Sequence, residues 1–333
     1  MAKLRETLNR VGLNTFFFLL VGMIFLAKAF PEWGSEESPL PLKAITGIGI
    51  SVIFFFYGVK LSPEKLKQGL SNWKLHILVQ STTFLIFPMV VLLLYAVWGD
   101  EANLFWIGTF YLAALPSTVS SSVVMVSIAG GNLPAAIFNA SISSMVGIFI
   151  TPLWMDLMLP ETAVDFDLTD TIIKLSFQVL VPVILGLFVH KYLVKYVNKH
   201  QTALKNFDQA IILLIIFTAF AESFSENMFD GHSASELILL GVLMLVFFLL
   251  MMGLMYLLSK ALKFSREDMI TVIFCGSKKS LVQGAVMGRV MFPDPVVFGV
   301  MLLPLMVYHA LQLMVGSAIA QKLGDVKSSN QSQ

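Results

Sequence analysis

Apolar runs of membrane-crossing length recur along this chain from end to end, and that recurrence limits its fold more than any other feature. A helix needs about 20 such residues to cross the hydrocarbon of a bilayer. The runs and their breaks give ten candidate spans, at 13–30, 44–60, 75–98, 103–128, 133–158, 171–193, 206–222, 235–259, 269–291 and 296–320. Only 13% of the residues are charged, well under the roughly 25% of an ordinary soluble domain. The chain reads as an all-α membrane protein, and the lipid bilayer is its first partner. The basic opening "MAKLRETLNR" and the "AKA" at Ala27 to Ala29 share features with a secretory signal peptide. The apolar run continues to Phe30, however, and its length reads as an uncleaved first span.

Charges between the runs test the count independently. The N-terminus (Lys3, Arg5, Arg10), "KLSPEKLKQGLSNWK" (Lys60 to Lys74), "HKYLVKYVNKHQTALK" (His190 to Lys205), "KALKFSRED" (Lys260 to Asp268) and the C-terminal tail are basic. The alternate segments, "PEWGSEESPLPLK", "GDEA", "DLMLPETAVDFDLTD", "ESFSENMFDGHSASE" and "FPDP", are acidic or nearly free of lysine and arginine. Loops rich in those residues stay in the cytoplasm, so both termini are expected there. A missed or invented span would break the alternation, and it holds throughout.

Ionisable groups inside the runs are few. Asp156 and Glu222 lie near outer ends, and Lys28, Lys174 and Arg289 are close enough to an outer interface to snorkel. Lys278 and Lys279 are different: they sit inside "CGSKKSLVQG" (Cys275 to Gly284), near the middle of the ninth span. A charge at that depth is costly unless it is paired, hydrated or used. The single cysteine excludes an intrachain disulfide, and the five histidines show no metal-ligand spacing. No nucleotide-binding or nucleophile-elbow motif is present. Enzymatic and nucleic-acid functions therefore have no support in the sequence.

Two stretches share a design. "LPSTVSSSVVMVSIAGGN" (Leu115 to Asn132) precedes the span "LPAAIFNASISSMVGIFITPLW", and "CGSKKSLVQGAVMGRVMFPDP" (Cys275 to Pro295) precedes "VVFGVMLLPLMVYHALQL". Each is a polar, small-residue break in a span, followed by a span with an internal proline, Pro152 or Pro304. The breaks at Pro116 and Gly276 lie about half a chain apart, as duplicated halves require. Residues 1–160 and 161–333 then form two five-helix repeats. An odd number of spans makes the repeats inverted, the plan of many secondary transporters. Small-residue helix packing accounts for the serines and glycines, but it leaves the two lysines unexplained.

At these residues the chain resembles the bile acid:sodium symporter-like family. More narrowly, it looks like bacterial relatives of the seventh member of the human bile acid transporter group. "SSSVVMVSIAGGN", "GSKKSL" and "LLPLMVYHALQ" carry the resemblance, which covers essentially all ten spans. It implies a panel of helices 1, 2, 6 and 7 and a core of helices 3–5 and 8–10, with helices 4 and 9 discontinuous and crossing. Substrate would bind between panel and core, and a small organic anion of bile acid, steroid-like or other kind would be carried. An inner-membrane location follows from the bacterial likeness.

Sodium is the one cofactor that the resemblance implies. One ion site would use Ser121, Ser122, Asn139 and Ser143, and a second would use Gln80 with a Glu-x-x-x-Gln on helix 9. Here Lys279 or Lys278 falls at the glutamine, and Cys275 or Phe274 at the glutamate. Ser280 and Gln283 complete the candidate ion- and substrate-binding set. A hard cation prefers oxygen ligands and negative charge, so lysine opposes sodium at the second site. Three roles for the lysines stay open: an internal counter-ion to backbone carbonyls, an anion-binding group, or a proton carrier. Adjacent helical residues point about 100° apart, so Lys279 can face the crossover while Lys278 reaches water. His309 reads as a core histidine bonded to a carbonyl. Membrane regulators that keep a transporter fold, and channels, are the remaining alternatives.

Overall fold

Long apolar runs become helices because a helix pairs its backbone N–H and C=O groups within itself, as a bilayer interior demands. A computed structural model describes residues 15–34, 38–60, 72–99, 104–158, 168–225, 234–292 and 294–331. The basic residues Lys3, Arg5 and Arg10, the start of the first expected span and parts of the charged loops lie outside the described residues.

The described chain is helical, and no strand occurs among the described residues. In order the helices are α1 (Thr15–Ala29), α2 (Leu42–Lys60), α3 (Trp73–Trp98), α4 (Leu104–Ala114), α5 (Ser120–Ala129) and α6 (Leu133–Met158). Then come α7 (Leu168–Leu175, continued by Val181–Lys199), α8 (Gln201–Ser225), α9 (Ala234–Ala261), α10 (Arg266–Gly276), α11 (Leu281–Met291) and α12 (Pro295–Gln331). Six of these are long and apolar enough to cross a bilayer, and three shorter apolar helices accompany them among the described residues. The fourth and ninth expected spans are each divided, into α4 and α5 and into α10 and α11. At 11 residues, α4, α10 and α11 each reach only about 16 Å at 1.5 Å per residue. The last helix runs to Gln331, past the expected end at 320, because no proline interrupts its polar continuation.

Prolines shape two of the long helices. Pro88 and Pro182 each follow a π turn, at Thr82–Ile86 in α3 and Ser176–Leu180 in α7. A proline has no N–H for the carbonyl four residues earlier. Phe84 O is that carbonyl in α3, and it accepts the Trp154 indole N–H at 2.6 Å. Gln178 O is the equivalent in α7, and Ser51 Oγ donates to it at 3.3 Å. Each freed acceptor thus fastens a neighbouring helix.

Packing follows the small residues. Helix α2 lies along α7 and α1 along α8, while α12 packs against α4, α5, α8, α9 and α11. Gly58 and Gly186 sit where α2 and α7 touch backbone to backbone: a Cβ at Gly58 would strike Val183 O, and one at Gly186 would strike Phe55 O. Gly22 and Gly241, by contrast, have nothing within 4 Å of an added Cβ. Gly186→Val should therefore force α2 and α7 apart and cost about 1–3 kcal/mol, whereas Gly241→Val should leave stability unchanged. Thermal unfolding of the detergent-purified protein, followed by far-UV circular dichroism, measures both.

Candidate functional site

Breaking a helix inside a protein leaves carbonyls without partners. Helix α4 stops at Ala114 because Pro116 has no N–H and disfavours the helical region for Leu115. Each terminal carbonyl then finds a specific donor. Ala113 O and Leu115 O accept from Lys279 Nζ at 2.6 and 2.8 Å. Ala114 O accepts from Thr151 Oγ1 at 2.9 Å, and Pro116 O from the Ser280 N–H at 3.0 Å.

The end of α10 is served in the opposite direction. Ser122 Oγ donates to Phe274 O at 3.1 Å, and Ser117 Oγ donates to Cys275 O at 2.6 Å. Within the second break, Tyr308 OH donates to Ser277 O at 2.7 Å and Gln312 Nε2 to Lys279 O at 2.7 Å. Gln312 Oε1 also accepts from the Lys279 N–H at 2.9 Å, so one carboxamide clamps the Lys279 backbone from both sides. Residues of each break thus supply donors that the other's helix end lacks.

Lys279 is the charged member of this exchange. Its ammonium also donates to Thr83 O at 2.7 Å, completing a set of three carbonyls from two helices and a break. Thr83 O is available for a local reason. The Phe87 N–H is turned to Thr82 O by the π turn, and the next residue, Pro88, has no N–H to give. The Phe87 ring lies 4.2 Å from the ammonium, within cation–π range. Lys279 is fully buried, so its charge is stabilised by carbonyl dipoles, the C-terminal end of α4 and one ring face, without a carboxylate contact among the described residues.

Lys278 is held differently. Its ammonium meets Ser121 O at 3.3 Å and the Met125 sulfur, and lies 5.6 Å from the Phe274 ring centre. It does not reach water: Lys278 is as completely buried as Lys279. The expectation that Lys278 reaches water is therefore corrected, while Lys279 lies against the end of α4. The side chain of Lys278 points into α5, where its ammonium meets Ser121 O and the Met125 sulfur.

The other expected residues fall into separate groups. Gln80 Nε2 donates to Asn139 Oδ1 and Asn139 O, both at 3.1 Å, and Asn139 Nδ2 meets His76 Nδ1 at 2.9 Å. Ser143 Oγ accepts from the Ser117 N–H at 2.9 Å, and Ser121 Oγ pairs with Thr118 Oγ1 at 2.9 Å. Among the described residues, no hydrogen bond joins Ser121 or Ser122 to Asn139 or Ser143. Ser280 caps α11 by accepting the Gln283 N–H at 3.2 Å. Gln80 and Gln283 each keep a buried side-chain oxygen without a hydrogen-bond partner. His309 meets the Gln312 carboxamide at 2.8 Å. Sequence reasoning missed Gln312, Tyr308, Thr83 and His76. Tyr308 and Gln312 stand in the quoted "VYHALQ", but only the folded α12 shows which break they face.

Sodium does not fit at Lys279. Three carbonyl oxygens suited to a hard cation converge there, and the ammonium already takes all three.

Comparison with known proteins bears on what such a site belongs to. The model of the SBF-like CPA transporter family (DUF4137) matches residues 14–325. This chain belongs to that family. It is 34% identical to the Escherichia coli protein named "Putative symporter YfeH" over 313 residues, 93% of this chain and 92% of that one. It is 32% identical to sodium/bile acid cotransporter 7 of Danio rerio over 317 residues, covering 93% of each. The Pseudomonas aeruginosa protein PA2026 is 37% identical over 312 residues, 93% of this chain and 92% of that one. Family membership and apolar helices together make this an integral membrane protein of a transporter family, not an enzyme.

Removing the ammonium of Lys279 leaves three buried carbonyls unsatisfied, at about 1–3 kcal/mol each. Lys279→Met should therefore destabilise by roughly 3–5 kcal/mol. Lys278→Met, which gives up one long carbonyl contact and a thioether, should cost about 1 kcal/mol or less. Thermal-unfolding midpoints of the two variants, measured side by side in one detergent, check the difference.

Proposed function

We propose that the protein is a secondary active transporter of an organic anion working by alternating access, with both termini in the cytoplasm. The observation that carries this reading is the meeting of two interrupted helices around Lys279, because discontinuous helices in a membrane are tolerated where they line a site. Helices α1, α2, α7 and α8 form the panel, and α3 to α6 with α9 to α12 form the core. The two halves, 1–160 and 161–333, are inverted repeats, and the substrate crevice lies between panel and core. The names of the relatives, a symporter and a sodium/bile acid cotransporter, support the class.

In this reading the Lys279 ammonium stands in the place of a coupling cation. A tethered cation cannot leave, so it holds the broken ends of α4 and α10 in register through the whole cycle. Lys278 has the sparser partner set, one carbonyl at 3.3 Å, a thioether and a ring. That contrast favours a second reading for coupling, in which Lys278 carries a proton while Lys279 keeps its charge. The unpaired oxygens of Gln80 and Gln283 supply acceptors beside the breaks for a substrate or ion.

Uptake of labelled organic anions into proteoliposomes, under sodium or proton gradients imposed separately, tests the proposal. Wild type should accumulate substrate under an inward proton gradient, with at least a tenfold loss in Lys278→Gln. Sodium-driven uptake unchanged in Lys278→Gln and Lys279→Gln would overturn both lysine roles. Absence of uptake under every gradient, with no ligand raising the unfolding temperature, would favour a non-transporting regulator.

A further inference from the structure

The apolar run of α7 ends at Val189, yet the helix continues to Lys199. The stretch from His190 to Lys199 adds about 15 Å at 1.5 Å per residue. That exceeds the roughly 5–8 Å of head groups on either side of the hydrocarbon, so the helix passes right through the head-group layer.

One face of α7 is packed and the other is open. Pro182, Val183, Gly186 and Val197 are buried, and on that side His190 Nδ1 meets Val59 O of α2 at 2.7 Å. The opposite face carries Val181, Ile184, Leu185 and Phe188, which are 39%, 40%, 53% and 77% exposed. A continuous apolar stripe left open in a membrane protein is a surface that lipid covers. Lys191, Tyr192, Lys195, Tyr196 and Lys199 continue this same stripe, three or four residues apart, and all five are exposed. No Asp or Glu occurs between Asp170 and Asp208, and Asp208 lies beside Lys60 at 4.0 Å. Among the described residues, no hydrogen bond or ion pair engages Lys191, Lys195 or Lys199. The positive-inside rule asks only for basic residues somewhere in this loop. It does not ask for three unpaired lysines and two open tyrosines on the continuation of one lipid-covered stripe.

We propose that this face of α7 docks anionic phospholipids, their phosphates meeting Lys191, Lys195 and Lys199 while the Tyr192 and Tyr196 rings lie among the head groups. A bilayer is favoured over an acidic protein because the stripe runs unbroken from the lipid-covered residues, and because tyrosine settles at the membrane interface. Each lysine close to an anionic surface adds to the attraction. Docked lipids set the depth of α7 and, through the His190 contact, of α2. None of these residues belongs to the breaks around Lys279. Assigning the lipids to the cytoplasmic leaflet rests on the orientation proposed above; their chemical class does not.

Native mass spectrometry of the full chain in detergent, titrated with phosphatidylglycerol or phosphatidylcholine, tests the surface. Wild type should prefer phosphatidylglycerol by roughly tenfold or more. Replacing Lys191, Lys195 and Lys199 together by glutamine should remove most of that preference. Lys260→Gln with Lys263→Gln, on the same side of the membrane but at the end of α9, should keep it. Raising ammonium acetate from about 0.05 to about 0.5 M should cut the wild-type preference several-fold through screening, a reading that needs no variant to fold. Tyr192→Ser with Tyr196→Ser should loosen both lipids alike. Equal retention of the two lipids by wild type, or an unchanged preference in the folded triple variant, would overturn the proposal. An equal loss in the Lys260 and Lys263 pair would also overturn it, because the effect would then be one of total charge. Retention of a polyglutamate peptide without a phosphatidylglycerol preference would overturn the lipid assignment. Because the readout is binding, a lipid preference without uptake leaves this inference standing while the transport reading fails.

Discussion

One buried ammonium bound to three backbone carbonyls ties the structure together. Thr83, Ala113 and Leu115 contribute those carbonyls from a π turn in α3, the end of α4 and the first break. Thr83 O is freed by the π turn and Pro88, and Ala113 O and Leu115 O lie at the break where Pro116 ends α4. A neutral side chain at Lys279 would leave a cluster of buried acceptors with nothing to bind. A lysine without the carbonyls would be an unpaired charge at the same depth. Neither part is tolerable alone, and together they make a stable contact.

The exchange across the breaks extends that contact. Ser117 and Ser122 serve the end of α10, while Lys279 and the Ser280 N–H serve the end of α4 and the residue after it. Tyr308 and Gln312 of α12 then fix the second break from outside. Helix ends so interlocked move as one body, which suits a rigid core against which another group of helices shifts. The proposed transport cycle rests on that rigidity.

Much of this was legible in the residues. Apolar length and charge alternation gave the helices, and the matched polar breaks gave the two interruptions, because a bilayer permits few alternatives to helix. The cost of burying charge singled out Lys278 and Lys279 before any coordinates. What the sequence could not show was direction. Whether Lys278 reaches water or Met125 depends on how α5 packs, and the pairing of Gln80 with Asn139 depends on the register of α3 against α6. The partners of Lys279 were hidden for a different reason: they are main-chain oxygens, which carry no side-chain signature.

Amide hydrogen exchange at the two breaks tests the central claim most directly, since a local bridge should protect both segments from opening. In Lys279→Met, exchange should rise at 113–119 as well as at 277–281, although the first segment lies far from the substitution in sequence. In Lys278→Met, the rise should be confined to the start of α5. Unchanged protection at 113–119 in Lys279→Met would contradict the account, because it would mean that the ammonium does not hold the two broken helices together.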